Sequence, residues 1–376
     1  MINSVYIHIP FCQNICPYCG FCKQYYNKDR AKKYLEALDQ EIKTKYKGDI
    51  IKTLYIGGGT PSVLSKELLT RLFVIIKQFN LDDNCEFTME VNPESIDVYK
   101  LKLMLKSKVN RISIGVESCN DKVLSYLGRD YTYQDVVSKI DLIKQVGFKN
   151  INVDLMYAIN NETLKDLTND LDKILKLDVN HISTYSLMIE PNTMFHIKNV
   201  KPISEDLDYE MYQKICYVLK EHNYNHYEIS NFAKDGYESK HNLVYWHNEK
   251  YYGFGLGASG YIENVRYTNT CSMHDYLNGN YVKEKEAITI EEDISYELIL
   301  GFRLIKGINK KQFRDKFKCD ILDVYNVKEL IKKKDLIDNG TNIWINYDKI
   351  YVENSILVNF VGEVWRVMYL KLNWIL

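Results

Sequence analysis

The chain lacks the segments that would direct it to a membrane. Its first ten residues, MINSVYIHIP, have neither the basic region nor the long apolar core of a signal peptide. The sequence contains no run of about 18 apolar residues, the length that indicates a spanning helix. The apolar end of the chain, VWRVMYLKLNWIL, is shorter and is interrupted by Arg366 and Lys371. We therefore expect a cytoplasmic protein whose association with membranes is at most transient.

The chain also lacks a bias in charge. Its 49 Lys and Arg residues balance 50 Asp and Glu residues, so no strong electrostatic field favours binding to nucleic acid.

Nine cysteines, an odd number and mostly scattered, do not form the framework of a secreted disulfide-rich protein. In the reducing compartment that this implies, clustered thiols indicate metal binding or redox chemistry.

Short apolar runs alternate with longer amphipathic stretches through the first 230 residues, which predicts an α/β fold. The length of 376 residues suffices for one large domain and a smaller one. The predicted strands cover 4–9, 52–58, 85–92, 111–118, 151–158 and 181–187, and helical periodicity covers 31–46, 67–79, 133–147 and 164–177. Six such units favour a partial (β/α)6 barrel over residues 1–230, with functional residues at the carboxyl ends of its strands.

The pattern changes after residue 230. Residues 230–260 are rich in His, Asn, Tyr and Gly, and we predict a loop there within a connecting region, 231–290. Helical stretches and a hairpin-like segment at 342–352 then predict a small α+β, winged-helix-like domain over residues 291–376. The tail after Phe360 has two interpretations, an additional packed helix or a sequence artefact.

The most informative stretch is FCQNICPYCGFC, residues 11–22, in which Cys12, Cys16 and Cys19 follow C-x3-C-x2-C spacing. A tetrahedral zinc site needs four ligands, usually from two separated pairs. A 4Fe-4S cluster can take its thiolates from a single loop, and three ligands leave one iron open to a small molecule. We favour the cluster, keep zinc as the alternative, and expect Tyr18 to shield the site from solvent.

A second signal follows the next predicted strand, in YIGGGTP, residues 55–61. Glycines allow a backbone to approach a ligand closely. The segment is not a phosphate-binding P-loop, because no Gly-Lys-Ser/Thr sequence follows it. Its place directly after a strand of the same predicted barrel makes it a candidate binding loop.

Together these motifs resemble the radical S-adenosylmethionine (radical SAM) superfamily. More narrowly, residues 3–360 resemble the oxygen-independent coproporphyrinogen oxidase group and the related HemW heme chaperone family. The resemblance implies a 4Fe-4S cluster on the three spaced cysteines, with S-adenosylmethionine chelating the fourth iron. In this superfamily an electron from the reduced cluster cleaves the sulfonium to a 5′-deoxyadenosyl radical. An electron donor such as flavodoxin or ferredoxin is a further expected partner.

The resemblance also assigns residues to the site of S-adenosylmethionine. These are Tyr6, Tyr18, Gly58, Gly59, Thr60, Glu90, Glu117, Arg129 and Asp154. Glu117 stands where the family pattern R-x-S-x-G-V-Q-S carries glutamine, and its charge requires a partner, for which Arg129 is the candidate. The alternatives are a solvated loop acid at Glu90 and a surface ion pair between Arg129 and Asp154. Two other departures from the family are Tyr131, where histidine is common, and AINNET at 158–163 in place of G-L-P-x-Q-T.

Residues 227–261 resemble the heme chaperones, whose H-N-x-x-Y-W core corresponds to His241, Asn242, Tyr245 and Trp246. Histidine ligates the iron of heme in many proteins, and flat aromatic rings can pack on a porphyrin. The resemblance makes His241 a candidate heme ligand and His247 a second one. The alternative is that His241 and Trp246 only hold this segment over the barrel.

Function depends on features that separate the branches of this family. The oxidases carry a further cysteine at the position of Phe21 and a longer segment before the cluster loop, whereas here the cysteines begin at residue 12. We interpret Cys22 as a nearby thiol and not as a ligand. We predict a heme chaperone that transfers heme to an acceptor protein. The alternatives are an oxygen-independent coproporphyrinogen III oxidase and a non-catalytic zinc or iron-sulfur binding module.

Overall fold

A parallel β-sheet is the centre of the structure, a computed structural model that describes residues 2–361. Its strands are apolar runs buried on both faces, as a sheet covered by helices requires. The six parallel strands that follow the chain in order are β1 (Ser4–Ile9), β2 (Ile50–Gly58), β3 (Asn80–Val91), β4 (Arg111–Glu117), β5 (Asn150–Tyr157) and β6 (His181–Ser186). Each overlaps one predicted strand, so those predictions are confirmed.

The strands β1 to β6 are neighbours in the order of the sequence. The register pairs Val5 with Leu54 and Ile112 with Ile151, so apolar residues of adjacent strands lie side by side. Within residues 2–361 the sheet ends at two different strands and does not close on itself. This is the arrangement of a partial (β/α)6 barrel, as predicted, with the carboxyl ends of its strands along one edge.

Helices connect the parallel strands and cover the sheet. Between β1 and the end of the parallel region lie α1 (Lys28–Lys45), α2 (Lys66–Ile76), α3 (Val98–Lys106), α4 (Asp121–Tyr126), α5 (Tyr133–Val146), α6 (Leu164–Lys176), α7 (Met194–Ile197) and α8 (Glu205–Glu221). Each begins at a side chain that accepts a hydrogen bond from a backbone N–H of the first turn, such as Ser65 in α2 and Thr132 in α5. The four predicted helical segments coincide with α1, α2, α5 and α6.

Three short strands extend the sheet at its edges. β7 (Asn225–Glu228) and β8 (Asn231–Ala233) continue it antiparallel beyond β6, and β9 (Tyr252–Phe254) pairs in parallel with β1. The prediction of a loop over 230–260 was therefore wrong, because β8, β9 and helix α9 (Lys240–Trp246) lie within it. The side chain of Ser239 accepts a hydrogen bond from the N–H of Asn242 and so caps α9, which explains a helix in a stretch of loop-like composition. The division into domains at residue 230 stays a prediction, although the sheet crosses it.

Smaller elements form the remainder. Two three-stranded antiparallel sheets comprise β10 (Ser259–Ile262), β11 (Val265–Asn269) and β12 (Val282–Ala287), and β13 (Ile308–Asn309), β14 (Leu336–Asp338) and β15 (Asn342–Ile345). The helices are α10 (Met273–Leu277), α11 (Ile290–Gly301), α12 (Lys310–Phe317), α13 (Val327–Lys332) and α14 (Glu353–Leu357). The second sheet and the last four helices give the α+β content predicted for the C-terminal, winged-helix-like domain.

The prediction of a hairpin at 342–352 was wrong. β15 pairs with β14 and β13, and the chain then enters a 3-10 helix, Tyr347–Val352, instead of returning as a strand. Asn346 explains the difference, because its side chain accepts a hydrogen bond from the N–H of Asp348 and begins that helix. The interpretations of the tail after Phe360 fall almost entirely outside the described residues. Within residues 2–361, no helix combines the length and apolarity needed to cross a bilayer.

A buried ion pair holds α14 against the residues that follow α11. Arg303 Nη1 lies 2.9 Å from Glu353 Oε1, and both residues are buried. Arg303→Ala should lower the free energy of unfolding by about 3–5 kcal/mol, because it leaves the Glu353 carboxylate buried without its partner. Urea unfolding followed by circular dichroism measures the change.

The matched control for this prediction is Lys328→Ala. It removes an ion pair with Asp323 in which both side chains are more than half exposed, and exposed pairs contribute at most about 1 kcal/mol. Equal losses of stability in the two variants would contradict the role given to the buried pair.

Candidate metal and cofactor site

The candidate site lies at the carboxyl edge of the parallel sheet. Gly58 ends β2, Glu90 is the next-to-last residue of β3, and Glu117 ends β4. Asp154 lies in the second half of β5. Parallel strands in sequential order bring such positions to one edge, although they are far apart in the sequence.

The cysteine loop is closed at its base beside β1. Phe11–Cys12 and Gln24–Tyr25 form a short parallel pair, so the residues between them leave and return at the same place. Within the loop, the N–H of Cys19 donates to the C=O of Cys16 at 3.2 Å, and Lys23 Nζ donates to the C=O of Cys19. The structure therefore holds the three predicted ligands in one anchored loop.

Burial opposes ionisation of Cys12 and Cys16. It raises the pKa of Cys12 to about 12 and also raises the pKa of Cys16, and the charge of Arg129 acts in the opposite direction on both. Iron binds the thiolate, so ligation must release the thiol protons. Arg129 is the nearby cation that favours this charged form.

Within residues 2–361, no three His, Cys, Asp or Glu side chains converge closely enough to hold a single metal ion. A mononuclear zinc site requires such convergence, with ligands at about 2.0–2.3 Å from the ion. In an iron-sulfur cluster the thiolates bind different irons, so the cysteines need not converge on one point.

The glycine loop after β2 packs against the cysteine loop. The N–H of Gly59 donates to the C=O of Ile9 at 2.9 Å, and the N–H of Thr60 donates to the C=O of Phe11 at 2.7 Å. A Cβ on Gly59 would lie 2.7 Å from that Phe11 oxygen and 2.9 Å from Cys12 Sγ. Only glycine permits this approach. The predicted binding loop is therefore also the support of the first cysteine.

Two donors from β2 orient Glu90. Tyr55 Oη donates to Glu90 Oε1 at 2.8 Å, and the N–H of Gly58 donates to Oε2 at 3.0 Å. A Cβ on Gly57 would lie 2.6 Å from Glu90 Oε1, so a larger residue there would displace this carboxyl. Burial raises the pKa of Glu90, and the two hydrogen bonds oppose that rise. Glu90 is not the solvated loop acid considered from the sequence.

Glu117 and Arg129 form the pair predicted from the sequence. Arg129 Nη2 donates to Glu117 Oε1, and both side chains are nearly buried. The same nitrogen donates to Tyr18 Oη at 2.6 Å, which ties the cysteine loop to the end of β4. Arg129 thus pairs with Glu117, and the alternative of a surface pair between Arg129 and Asp154 was wrong.

Asp154 adds a third acid. It accepts a hydrogen bond from Asn152 Nδ2 at 2.8 Å. Burial, followed by the charges of Glu117 and Glu90, raises the pKa of Asp154 to about 7. Arg129 pairs with Glu117, and the charge of Arg111 acts on Glu90. A further cation, supplied by a ligand, would be favoured beside Asp154.

These residues fit S-adenosylmethionine, which carries a sulfonium, an ammonium and a carboxylate. The acids supply negative charge for the two cationic groups. Arg129 Nε is buried without a hydrogen-bond partner among the described residues, and a carboxylate would satisfy such a donor. With Cys12, Cys16 and Cys19 holding a 4Fe-4S cluster, Glu90 and Asp154 would lie beside the cationic ligand. The two groups together supply one-electron cleavage of a carbon–sulfur bond.

Tyr6 lies beside this region on β1, as predicted, together with a residue that sequence analysis missed. Tyr6 Oη is 3.0 Å from His8 Nδ1, and His8 Nε2 is 2.7 Å from the carbonyl oxygen of Cys22. Burial lowers the pKa of His8 to about 4, so the ring that joins β1 to the end of the cysteine loop is neutral. Tyr55 was also missed. The alternation of side chains along a strand could have identified both residues. It places His8 on the same face of β1 as Tyr6, and Tyr55 on the same face of β2 as Gly57.

His241 lies towards the amino ends of the strands, away from the cysteine loop. Its Nδ1 is 2.9 Å from Thr53 Oγ1, and its Nε2 is 2.8 Å from Tyr245 Oη. Its backbone N–H donates to Glu86 Oε1 at 3.0 Å, and the residue is 1% exposed. Both ring nitrogens of the buried His241 therefore already have partners, and heme ligation would have to break at least one of these contacts. The geometry favours the alternative that it holds its segment in place. His247, the second candidate, is exposed at the end of α9.

We predict that cluster assembly depends on Cys19 and on the close approach at Gly59. Cys19→Ser removes a predicted ligand, and Gly59→Ala places a methyl group against Phe11 and Cys12. Both variants should lose most of the iron that the wild-type protein takes up in anaerobic reconstitution. Iron and sulfide analysis, with the visible absorbance of the cluster, measures the loss.

Cys22→Ser is the control for these variants. Cys22 Sγ lies 3.9 Å from the carbonyl oxygen of Cys271, whereas Cys12 Sγ borders Gly59. We therefore expect Cys22→Ser to retain the full iron content. Loss of the cluster in this variant would make Cys22 a ligand and contradict our interpretation.

Known proteins that resemble this chain agree with the geometry. The model of the radical SAM superfamily matches residues 6–174. The heme chaperone HemW of Lactococcus lactis subsp. lactis is 38% identical over 369 residues, which cover 96% of this chain and 97% of the relative. HemW of Bacillus subtilis is 37% identical over 380 residues, which cover 96% and 100% of the two chains.

A solved structure shows the same fold. Coproporphyrinogen III oxidase (HemN) from Escherichia coli, described as a radical SAM enzyme, matches with a TM-score of 0.84 and 21% identity over 96% of this chain and 90% of its own. At that identity the likeness establishes the fold alone. The relatives that are more than 30% identical over nearly the whole chain establish the family. The protein belongs to the HemW heme chaperone family of the radical SAM superfamily.

Proposed function

We propose that the protein is a heme chaperone, which binds heme, a 4Fe-4S cluster and S-adenosylmethionine, and passes heme to an acceptor protein. The observation that carries this proposal is the identity of 38% over 96% of the chain to a relative named as a heme chaperone. The geometry at the strand ends supports the cluster and S-adenosylmethionine.

Phe21 supports a chaperone over an oxidase. It stands where the resemblance to the oxidases would require a further cysteine, and its ring is 52% exposed. The neighbouring thiol of Cys22 borders Gly257 and Cys271. The loop therefore offers the three spaced cysteines without the additional thiol of the oxidases.

Exposed apolar side chains beside the cysteine loop provide a surface for a flat porphyrin. Met194 and Ile197 on α7 are 48% and 68% exposed. Between them, Phe195 donates its N–H to the C=O of Pro17 in the cysteine loop at 2.9 Å. Tyr126 stacks on Phe195 with ring centroids 5.0 Å apart. Apolar surface of this kind is typical of binding sites, and we propose that heme covers it.

The proposed location is the cytoplasm, with at most transient contact with membranes. The net charge of -1 gives no attraction to nucleic acid. The proposed partners are proteins, namely an acceptor of heme and an electron donor such as flavodoxin or ferredoxin. The acceptor must present its own ligand to the iron, because transfer requires the exchange of one axial ligand for another.

Hemin titration tests heme binding and the role of His241. We expect wild-type protein to develop a Soret band that saturates. His241→Ala should keep that band but lower stability by about 1–3 kcal/mol, since it leaves Tyr245 Oη without its buried partner and removes one of the two hydrogen bonds of Thr53 Oγ1. His222→Ala, which changes an exposed histidine after α8, should alter neither quantity.

Two outcomes would overturn parts of this proposal. Loss of the Soret band in folded His241→Ala protein would restore His241 as the heme ligand, and no band in wild-type protein would refute heme binding. The alternative function expected from the sequence is decarboxylation of coproporphyrinogen III. We expect no turnover by reconstituted protein with S-adenosylmethionine and a reductant, and formation of protoporphyrinogen IX would establish the oxidase.

The affinity for S-adenosylmethionine should rise with pH. The pKa of Asp154 is about 7, so this carboxyl is mostly protonated below that pH and mostly charged above it. Only the charged form attracts a cation. Between about pH 6 and pH 8 the Kd of reconstituted protein should therefore fall by up to about tenfold, the change that one pKa unit represents.

Asp154→Asn should remove most of this pH dependence and bind weakly throughout. The control is Asp208→Asn on α8, which alters another carboxyl whose pKa burial raises. An unchanged pH dependence in Asp154→Asn would show that another group titrates. Anaerobic calorimetry measures each Kd.

A further inference from the structure

A second pair of thiols lies beside the cysteine loop. Cys22 Sγ and Cys271 Sγ are 3.1 and 3.0 Å from the point that a Cβ on Gly257 would occupy. Cys22 Sγ also lies 3.9 Å from the carbonyl oxygen of Cys271. The two sulfurs therefore border the same small space, which is open because residue 257 is a glycine.

Backbone contacts hold both cysteines in place. The carbonyl oxygen of Cys22 is 2.7 Å from His8 Nε2. The N–H of Gly257 donates at 2.9 Å to the C=O of Thr270, which precedes Cys271. A Cβ on Gly257 would also lie 2.6 Å from Cys22 Cβ, so the two segments are in close contact. The thiols are thus brought together by the anchored sheet edge and not by flexible side chains alone.

The two thiols differ in exposure and in charge. Cys271 is exposed, whereas Cys22 is partly buried. Hydrogen bonding to the Cys22 thiol, with a smaller effect of Lys283, lowers the pKa of Cys271 to about 7. The same hydrogen bond, together with burial, raises the pKa of Cys22. An accessible thiol that ionises readily beside a second cysteine is typical of redox-active pairs.

We propose that Cys22 and Cys271 form a reversible redox pair that reacts with small-molecule disulfides. The Cys271 thiolate attacks one sulfur of the small disulfide, whose S–S bond breaks and releases one thiol. Cys22 then loses its proton and attacks Cys271 Sγ, which releases the second thiol and leaves a Cys22–Cys271 disulfide. The two cysteines lose two electrons and two protons, and the small disulfide gains them.

The disulfide joins the end of the cysteine loop to the segment between β11 and α10. Cys22 follows Cys19 in the sequence and is separate from the three predicted ligands, so the bond restrains their loop without consuming a ligand. The pair gives the protein a site that removes an oxidant next to the cluster. This inference does not depend on heme binding.

Oxidised glutathione is the probe for this pair. Anaerobically reconstituted protein is treated with it, quenched in acid, alkylated and digested with trypsin. We expect peptide 1–23 to be linked to peptide 267–283, and dithiothreitol to reverse the link. Mass spectrometry identifies the linked peptides. Absence of the link in wild-type protein would overturn the proposal.

Variants assign the two roles. Cys22→Ser should lose the link and accumulate glutathione on Cys271, whereas Cys271→Ser should lose both products. Cys319→Ser, which changes a partly buried cysteine outside the pair, is the control and should keep the link. A link that persists in Cys22→Ser would show that a cysteine of the predicted cluster reacts instead, and would contradict the assignment of Cys22.

Discussion

The close approach of two backbones at Gly59 determines the position of the metal loop. The N–H groups of Gly59 and Thr60 bond to the backbone that leads into Cys12, and no side chain fits at Gly59. The preceding residue, Gly58, donates its own N–H to Glu90. The short turn at the end of β2 therefore fixes the positions of both Cys12, the first predicted ligand, and Glu90, the first acid. Because the turn follows a central strand, the rigidity of the sheet is passed directly to the site.

The charge of the site depends on the same construction. Glu90, Glu117 and Asp154 lie towards the carboxyl ends of neighbouring strands, and burial raises the pKa of each. The charge of Glu117 adds to this rise at Glu90, and the charges of Glu117 and Glu90 add to it at Asp154. Arg129 neutralises Glu117 and also bonds Tyr18 of the cysteine loop. The folded chain therefore maintains an excess of carboxyl groups that a cationic ligand would relieve. This unfavourable arrangement in the isolated protein is a physical reason to expect a cationic ligand there.

The parallel strands and their end residues were predictable because they follow local patterns. Glu117 and Arg129 were expected to pair, and they do. The errors occur where the hydrogen bond of one capping side chain determines the local structure. Ser239 begins a helix within a loop-like stretch, and Asn346 begins a 3-10 helix where a strand was predicted. The contact of Cys22 with Cys271 could not be predicted, because no local pattern joins residues 249 positions apart.

The segment that most resembles the heme chaperones has a structural task of its own. Helix α9 packs against β2 and β3, where Glu86 accepts the N–H groups of Lys240 and His241. The His241 ring links Thr53 to Tyr245 and so fastens this helix to the sheet. A histidine that matches a motif of the heme chaperones need not contact heme if its role is to hold this helix on the sheet. The exposed apolar residues of α7 lie instead beside the cysteine loop, at the carboxyl edge of the sheet, and this is where we propose that a porphyrin binds.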